Sequence, residues 1–425
     1  MVSSKILGAV ILCLLLGFGV GYGTHALMAP TTPTTPTATQ QTQLIKIGGV
    51  YELSGSDSFL GSKEQHAAQL AVDEVNRNLA AGGSNIQFQL VVQDSQSSPA
   101  AAKAAYQTLV ASGIQLITGY ALSADLKEVI PLAAQDKVVV IASSSTSPAL
   151  AIDKPFVYRM AGTDKDGGRG LASIVASQGY KNAVIVYRED AWGDSLAHIA
   201  AEHFANVTGG QTQLIGYPAT GYVMGGICGT VSDAVSKFGL NNTAVIGITF
   251  EDDGIALATA SSSYPVLSSV KWVMAQSLTG SSAVLANPTA VTFFEHVKLL
   301  ETSFGYNQQN PAFIAFKNAA TAAGYEDALI GEAPYSYDAA MLGMQAVLVA
   351  GNNGTAINSV LPSLATHYNG VTGVKSLDQF HDQLYQDWFI TRFETLNGQT
   401  NWYQVGFWTA STDTITWFST PQTIS

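Results

Sequence analysis

Three residues of this chain have the types and the order that nucleophilic catalysis needs. Gly193-Asp-Ser-Leu196 offers Ser195, and Asp378-Gln-Phe-His381 offers an acid and an imidazole at a spacing that could activate it. An imidazole beside a serine hydroxyl takes its proton and makes the oxygen a nucleophile. The context argues otherwise. A complete α/β unit precedes Ser195, no Gly-x-Asn-Asp block supplies an oxyanion donor, and Asp-Ser at the start of a helix is ordinary helix N-terminal chemistry. Metal chemistry has less support, because His198 and His203 are five apart on a helix and face different sides. Gly225-Gly-Ile-Cys-Gly229 lacks the lysine and the strand–helix context of a phosphate loop. No metal or cofactor is expected.

A different chemistry is written in Val138-Val-Val-Ile-Ala-Ser-Ser-Ser-Thr-Ser-Pro148. The apolar run reads as a buried parallel strand, and it runs straight into five hydroxyl residues with Pro148 placed to open a helix. Ligands of open α/β sheets bind at the carboxyl ends of strands. Hydroxyls there can hold a small polar molecule and release it unchanged.

Composition narrows the partners. Only 12% of the residues are charged, about half the usual 25%, and the net charge of −12 leaves no basic stripe for nucleic acid. Lys5 followed by the apolar run Ile6–Tyr22 reads as an export signal that can remain as an N-terminal anchor. Residues 30–43 are rich in Thr and Pro and read as an extended spacer. Cys228 is the only cysteine beyond the signal, so no disulfide is expected in the folded part. Sequons at Asn206, Asn241 and Asn353 fit an exported chain.

From Leu44 onward strands and helices alternate. Lys46–Tyr51, Ile86–Val92, Gln115–Thr118 and the Val138 run read as strands, with helices over Lys63–Ala81, from Pro99, and over Ala124–Gln135. The pattern restarts after Thr163 with strands at Ala183–Tyr187, Gln213–Tyr217, Ala244–Thr249 and Val270–Met274. Residues 291–350 read as helical, and Trp402–Phe407 and Thr414–Phe418 as strands. The expectation is an α/β fold of two Rossmann-like lobes with parallel sheets flanked by helices.

Six short stretches, in order, resemble the leucine/isoleucine/valine-binding family of ABC-transporter substrate-binding proteins, with the type I periplasmic binding protein fold. They are Ala71-Val-Asp-Glu-Val-Asn76, Val91-Val-Gln-Asp-Ser-Gln-Ser-Ser-Pro99, Ser145-Thr-Ser-Pro148, Arg188-Glu-Asp-Ala-Trp-Gly193, Tyr337-Asp-Ala339 and Tyr368-Asn-Gly-Val-Thr-Gly373. The resemblance implies lobes at 44–162 plus 289–373 and at 163–288 plus 374–425, with hinge crossings near 159–163, 276–288 and 373–377. It implies capture of an amino acid, aliphatic or branched-chain, or an amide, handed to a permease and ATPase on the outer face of the membrane.

By the same resemblance Ser123 meets a ligand carboxylate, unless it only caps its helix, and Ser144 and Thr146 meet the ammonium, with Ser145 between them in the candidate set. Trp192 covers the ligand from the second lobe, Phe59 or Leu60 from the first, and Tyr120 and Phe250 complete the candidate set. Relatives that bind amino acids carry an acid after the strand equivalent to Val270–Met274. This chain reads Ala275-Gln-Ser-Leu-Thr279 there, so Glu251, Asp252 or Asp253, one strand earlier, is the substitute unless these acids cap the next helix, and the ligand can be a neutral amide or a polyol-like molecule. The alternatives are a sensory receptor of the same fold and, on Ser195, Asp378 and His381, a GDSL-type serine hydrolase.

Overall fold

The computed structural model describes residues 41–424. The expected signal or anchor and most of the spacer lie outside the described residues. Among the described residues no helix is long and apolar enough to cross a membrane.

Short runs of β-branched residues form the first sheet: β1 (Gln43–Tyr51), β2 (Ile86–Asp94), β3 (Leu116–Gly119), β4 (Val139–Ala142) and β5 (Val157–Gly162). They pair in parallel in the order β2-β1-β3-β4-β5. A parallel sheet needs cover on both faces. One face takes α1 (Ser58–Ala81), whose Ala67, Ala71, Val75 and Leu79 are buried as the sequence spacing predicts. The other face takes α2 (Pro99–Ala111) and α3 (Ser123–Asp136), which contains Pro131. Pro148 opens a three-residue 3-10 turn, not an α-helix.

The chain leaves this sheet after β5 and enters α4 (Asp164–Ser177). The second sheet starts with β6 (Asn182–Glu189), β7 (Gln211–Pro218), β8 (Thr243–Ile248) and β9 (Lys271–Met274), all parallel. Its helices include α5 (Gly193–Thr208), α6 (Met224–Phe238) and α7 (Glu251–Ser261). Residues 289–304 then depart from expectation. They do not return to the first lobe, because α8 (Pro288–Val297) packs Phe293 and Phe294 into the core around Trp272. Nor is the stretch all helical: β10 (Leu300–Phe304) pairs in parallel with β9. The strand was hidden because Glu301, Thr302 and Ser303 break the apolar pattern, yet all three are buried.

After β10 the chain returns to the first lobe through α9 (Pro311–Ala323), α10 (Ala333–Ala350) and α11 (Gly354–Ala365). A two-stranded ribbon follows, β11 (Asn369–Gly370) with β12 (Gly373–Val374). The last crossing also moves. β13 (Asp382–Gln383) extends the first sheet beside β5, and only at β14 (Trp388–Leu396) does the chain rejoin the second. Strand β14 adds antiparallel to β10, and β15 (Gln399–Thr409) and β16 (Thr414–Thr423) follow, each antiparallel to its neighbour, so the second sheet is mixed, not wholly parallel.

One side chain binds the three crossings together. Gln386 Oε1 accepts from the Gly162 backbone N–H at 3.2 Å and from the Tyr335 hydroxyl at 3.0 Å. Its Nε2 donates to Asp387 O at 2.9 Å, and Asp387 O in turn accepts from the Gly305 N–H at 2.9 Å. Gly162 and Gly305 permit that approach, since a Cβ on either would lie under 3 Å from residues 385–387.

Candidate functional site

The motif residues shared with the resembling family serve largely as clips that position a cleft. Asn76 pairs with both backbone groups of Phe88, at 2.9 and 2.7 Å. Asp94 accepts from the N–H groups of Leu53, Ser54 and Gln96 and from the Ser54 hydroxyl, fixing the loop that leads to α1. Asp338 accepts from the Tyr368 hydroxyl at 2.7 Å and from the N–H groups of Val371 and Thr372. Asp190 Oδ1 accepts from the N–H groups of Trp192 and Gly193, both at 2.9 Å, and so sets the tryptophan at the start of α5.

The cleft lies between the lobes at the carboxyl ends of the strands. From the first lobe Asp57, Phe59, Leu60 and Lys63 line it after β1, Ser123 at the start of α3, and Ser144 and Thr146 after β4. From the second lobe come Trp192, Phe250, Glu251, Gln276 and Ser277. Tyr120 and Ser145 do not line it. Gly119, at φ +102°, brings its backbone so close that a Cβ would meet Val50 O at 2.0 Å. The following Tyr120, at φ +57°, turns its ring into the core beside Tyr106. Ser145 is buried, and its hydroxyl donates to Ser123 Oγ at 3.2 Å.

The hydroxyl run is more occupied than the sequence suggests. Ser143 and Ser144 donate to the buried carboxyl of Glu64 on α1. Burial pushes that carboxyl up to about 8 against the pull of the two serines. Thr146 Oγ1 donates to Asp164 Oδ2 at 2.5 Å, and Thr146 O accepts from Asp164 N at 2.9 Å. Ser147 Oγ donates to Ala191 O at 2.5 Å. Asp164 and Ala191 belong to the second lobe, so these bonds tie the lobes together. Ser123 Oγ accepts from Ser147 N at 3.1 Å, and its helix cap is Leu122.

Several cleft residues escaped sequence reasoning. Lys63 pairs with Glu332 at 2.8 Å, and Asp57 is buried, which pushes its carboxyl up to about 6. Alternation and charge gave no sign of them, though Lys63 and Glu64 on the buried stripe of an apolar helix were a signal to follow. The acid sought after β9 is Glu301, on the next strand. It accepts from the N–H groups of Ser277, Leu278 and Thr279 and from the Thr279 hydroxyl, and so holds the turn instead of a ligand. Glu251 does line the cleft, with one oxygen accepting from Ser281.

The hydrolase arrangement is not assembled. Ser195 Oγ donates to Ala191 O at 3.2 Å. The His381 ring stacks on Tyr158 with centroids 4.3 Å apart, and its Nδ1 has no partner. Asp378 accepts instead from the N–H groups of Phe380 and Asp382.

A family model described as periplasmic binding protein matches residues 44–399. An uncharacterized protein of Methanocaldococcus jannaschii is 28% identical over 269 residues, 61% of this chain and 63% of that protein. The chemotactic signal transduction system substrate-binding protein BasB of Halobacterium salinarum is 30% identical over 171 residues, 38% of this chain and 41% of BasB. The chain therefore matches less than two thirds of the length of either relative. Among solved structures, the leucine binding protein LivK of Thermotoga maritima has a TM-score of 0.71 at 19% identity, covering 84% of this chain and 97% of LivK. A solute-binding protein of R. palustris in complex with 4-hydroxybenzoate has a TM-score of 0.73 at 17% identity, covering 86% and 97%. The branched-chain amino acid transporter substrate-binding protein LivJ of Streptococcus pneumoniae, in complex with isoleucine, has a TM-score of 0.68 at 22% identity, covering 85% and 100%. At these identities the likeness to solved structures is one of fold.

Proposed function

The chain belongs to the periplasmic binding protein family, and on that premise we propose that it captures a small polar solute between its lobes outside the cytoplasm and delivers it to an ATPase-driven membrane permease. The N-terminal segment would tether it to the outer face of the membrane. Amino acids and amides are the first solute classes to consider. The observation that carries this reading is a cleft lined from both lobes, with Thr146–Asp164 and Ser147–Ala191 bonds bridging them. Closure is stabilised by a ligand only if the ligand touches both halves, and this cleft offers Ser144 on one side and Trp192 on the other. Likeness to BasB favours a second reading, sensing without transport.

Mass action supplies the test. A solute that binds only the folded chain raises the melting temperature as its concentration exceeds its dissociation constant. A panel of amino acids, amides and sugars at millimolar concentration is expected to contain at least one that does so. A flat response across the panel overturns solute capture.

The Thr146→Val substitution is expected to lower affinity for that solute about tenfold, through loss of one hydrogen bond made across the closed lobes. Isothermal calorimetry checks this, and unchanged affinity would remove Thr146 from the closure.

A further inference from the structure

The polar groups of the cleft are unevenly matched. Its two nearby cations are already paired: Lys63 with Glu332 at 2.8 Å, and Arg188 with Asp190 at 2.9 Å and Asp253 at 3.9 Å. Two carboxyls that line the cleft, Asp57 from the first lobe and Glu251 from the second, have no cation within ion-pair distance among the described residues. Asp57 is 2% exposed, and its Oδ1 has no hydrogen-bond partner. A buried acceptor left unmet is costly, so this atom marks a place for a donor that the protein does not provide.

The start of α3, where a ligand carboxylate would be met, has acidic side chains beside it. Asp125 stands in its first turn and Glu52 directly follows β1, each with both carboxyl oxygens buried and without a hydrogen-bond partner. A ligand carboxylate would be brought close to these acidic side chains. The remaining wall is aromatic: Trp192 stacks on Phe250 at 4.6 Å and 24°, Arg188 lies over the Phe250 ring at 4.9 Å and Lys63 over the Phe59 ring at 4.4 Å, and Phe304 also lines the cleft. Aromatic faces beside carboxylates attract positively charged nitrogen. Among the described residues no group of three or more His, Cys, Asp and Glu is placed to hold a metal ion.

We infer that the cleft selects a compact organic cation, an ammonium without a free carboxylate, with Asp57 and Glu251 as its charge partners and Trp192 as its aromatic cover. This rests on the solute-capture reading and narrows it. A zwitterion or an acid is disfavoured by the same carboxyls that attract the nitrogen.

Thermal shift and calorimetry with five probes of graded charge test it at fixed ionic strength. Choline and leucinamide carry a cation without a carboxylate, leucine is a zwitterion, isocaproamide is neutral and isocaproate is an anion. Choline or leucinamide is expected to bind at least about tenfold tighter than the other three. Asp57→Asn is expected to weaken that binding by about thirtyfold or more, with Glu251→Gln as the second variant should the first fail to fold. Leucine, isocaproamide or isocaproate binding as tightly as the cations overturns the inference and leaves solute capture standing. Cation affinity unchanged in both folded variants overturns it too. If none of the five nor any member of the wider panel binds, solute capture itself fails, and the inference with it.

Discussion

Replacing Asp382 with alanine is expected to lower the unfolding free energy by about 3–5 kcal/mol, the cost of leaving buried charges unpaired. Asp382 is fully buried on β13 and accepts a bidentate pair from Arg159, Nε to Oδ1 at 2.6 Å and Nη2 to Oδ2 at 2.5 Å. Lys154 Nζ lies 2.7 Å from the same carboxylate. Arg159 is 0% exposed and Lys154 2% exposed, so neither cation reaches water once Asp382 is gone. The loss extends to the cleft, because Arg159 Nη1 also donates to the carbonyls of Ser147 and Ser145 at 2.7 and 3.3 Å. Those carbonyls hold the hydroxyl run in place. Urea denaturation measures the effect as a drop in midpoint at unchanged slope. A loss below about 1 kcal/mol would mean that Arg159 and Lys154 find other partners.

Stability is also expected to fall as pH rises from about 4 to 8, the reverse of a fold held by paired carboxylates. Burial pushes Glu64 up to about 8, Asp125 and Asp164 up to about 7, and Asp57 up to about 6, while Glu52 is raised well above the usual range. Across that window the folded chain holds protons that the unfolded chain has released. The unfolding free energy therefore decreases with pH, and the contribution of each group is lost as pH passes its folded value. Three groups oppose this on the acid side. Asp94 and Asp413 are held below the usual carboxylate range by hydrogen bonds that outweigh their burial, and burial lowers His381. On the alkaline side burial lowers Lys271 to about 8, and it lowers Lys154 and Lys375 too, so stability recovers above about pH 8. Thermal melts in constant ionic strength check the profile. A melting temperature that climbs steadily from pH 4 to 8 would contradict it.

Much of the scaffold was legible because its signals are local. The Val138–Ala142 run, the stripe from Ala67 to Leu79 and the Pro at position 99 each act within a few residues, and each element forms where it was read. Of the cleft, Ser144, Thr146, Trp192 and Glu251 were placed by strand ends and by resemblance. Asp57, Lys63 and Glu332 were not, since their meeting joins two segments far apart in the chain.

Local periodicity and helix caps determine the α/β alternation, and the amino-acid sequence carries both openly, since each depends on neighbours in the chain. The route between the lobes was settled only in three dimensions. Strand β10 stays in the second sheet because buried Glu301 finds its donors at Ser277–Thr279, and β13 joins the first because Asp382 is drawn to Arg159, 223 positions earlier. A buried charge takes whatever partner the fold brings within reach, and no pattern along the chain announces which one that will be.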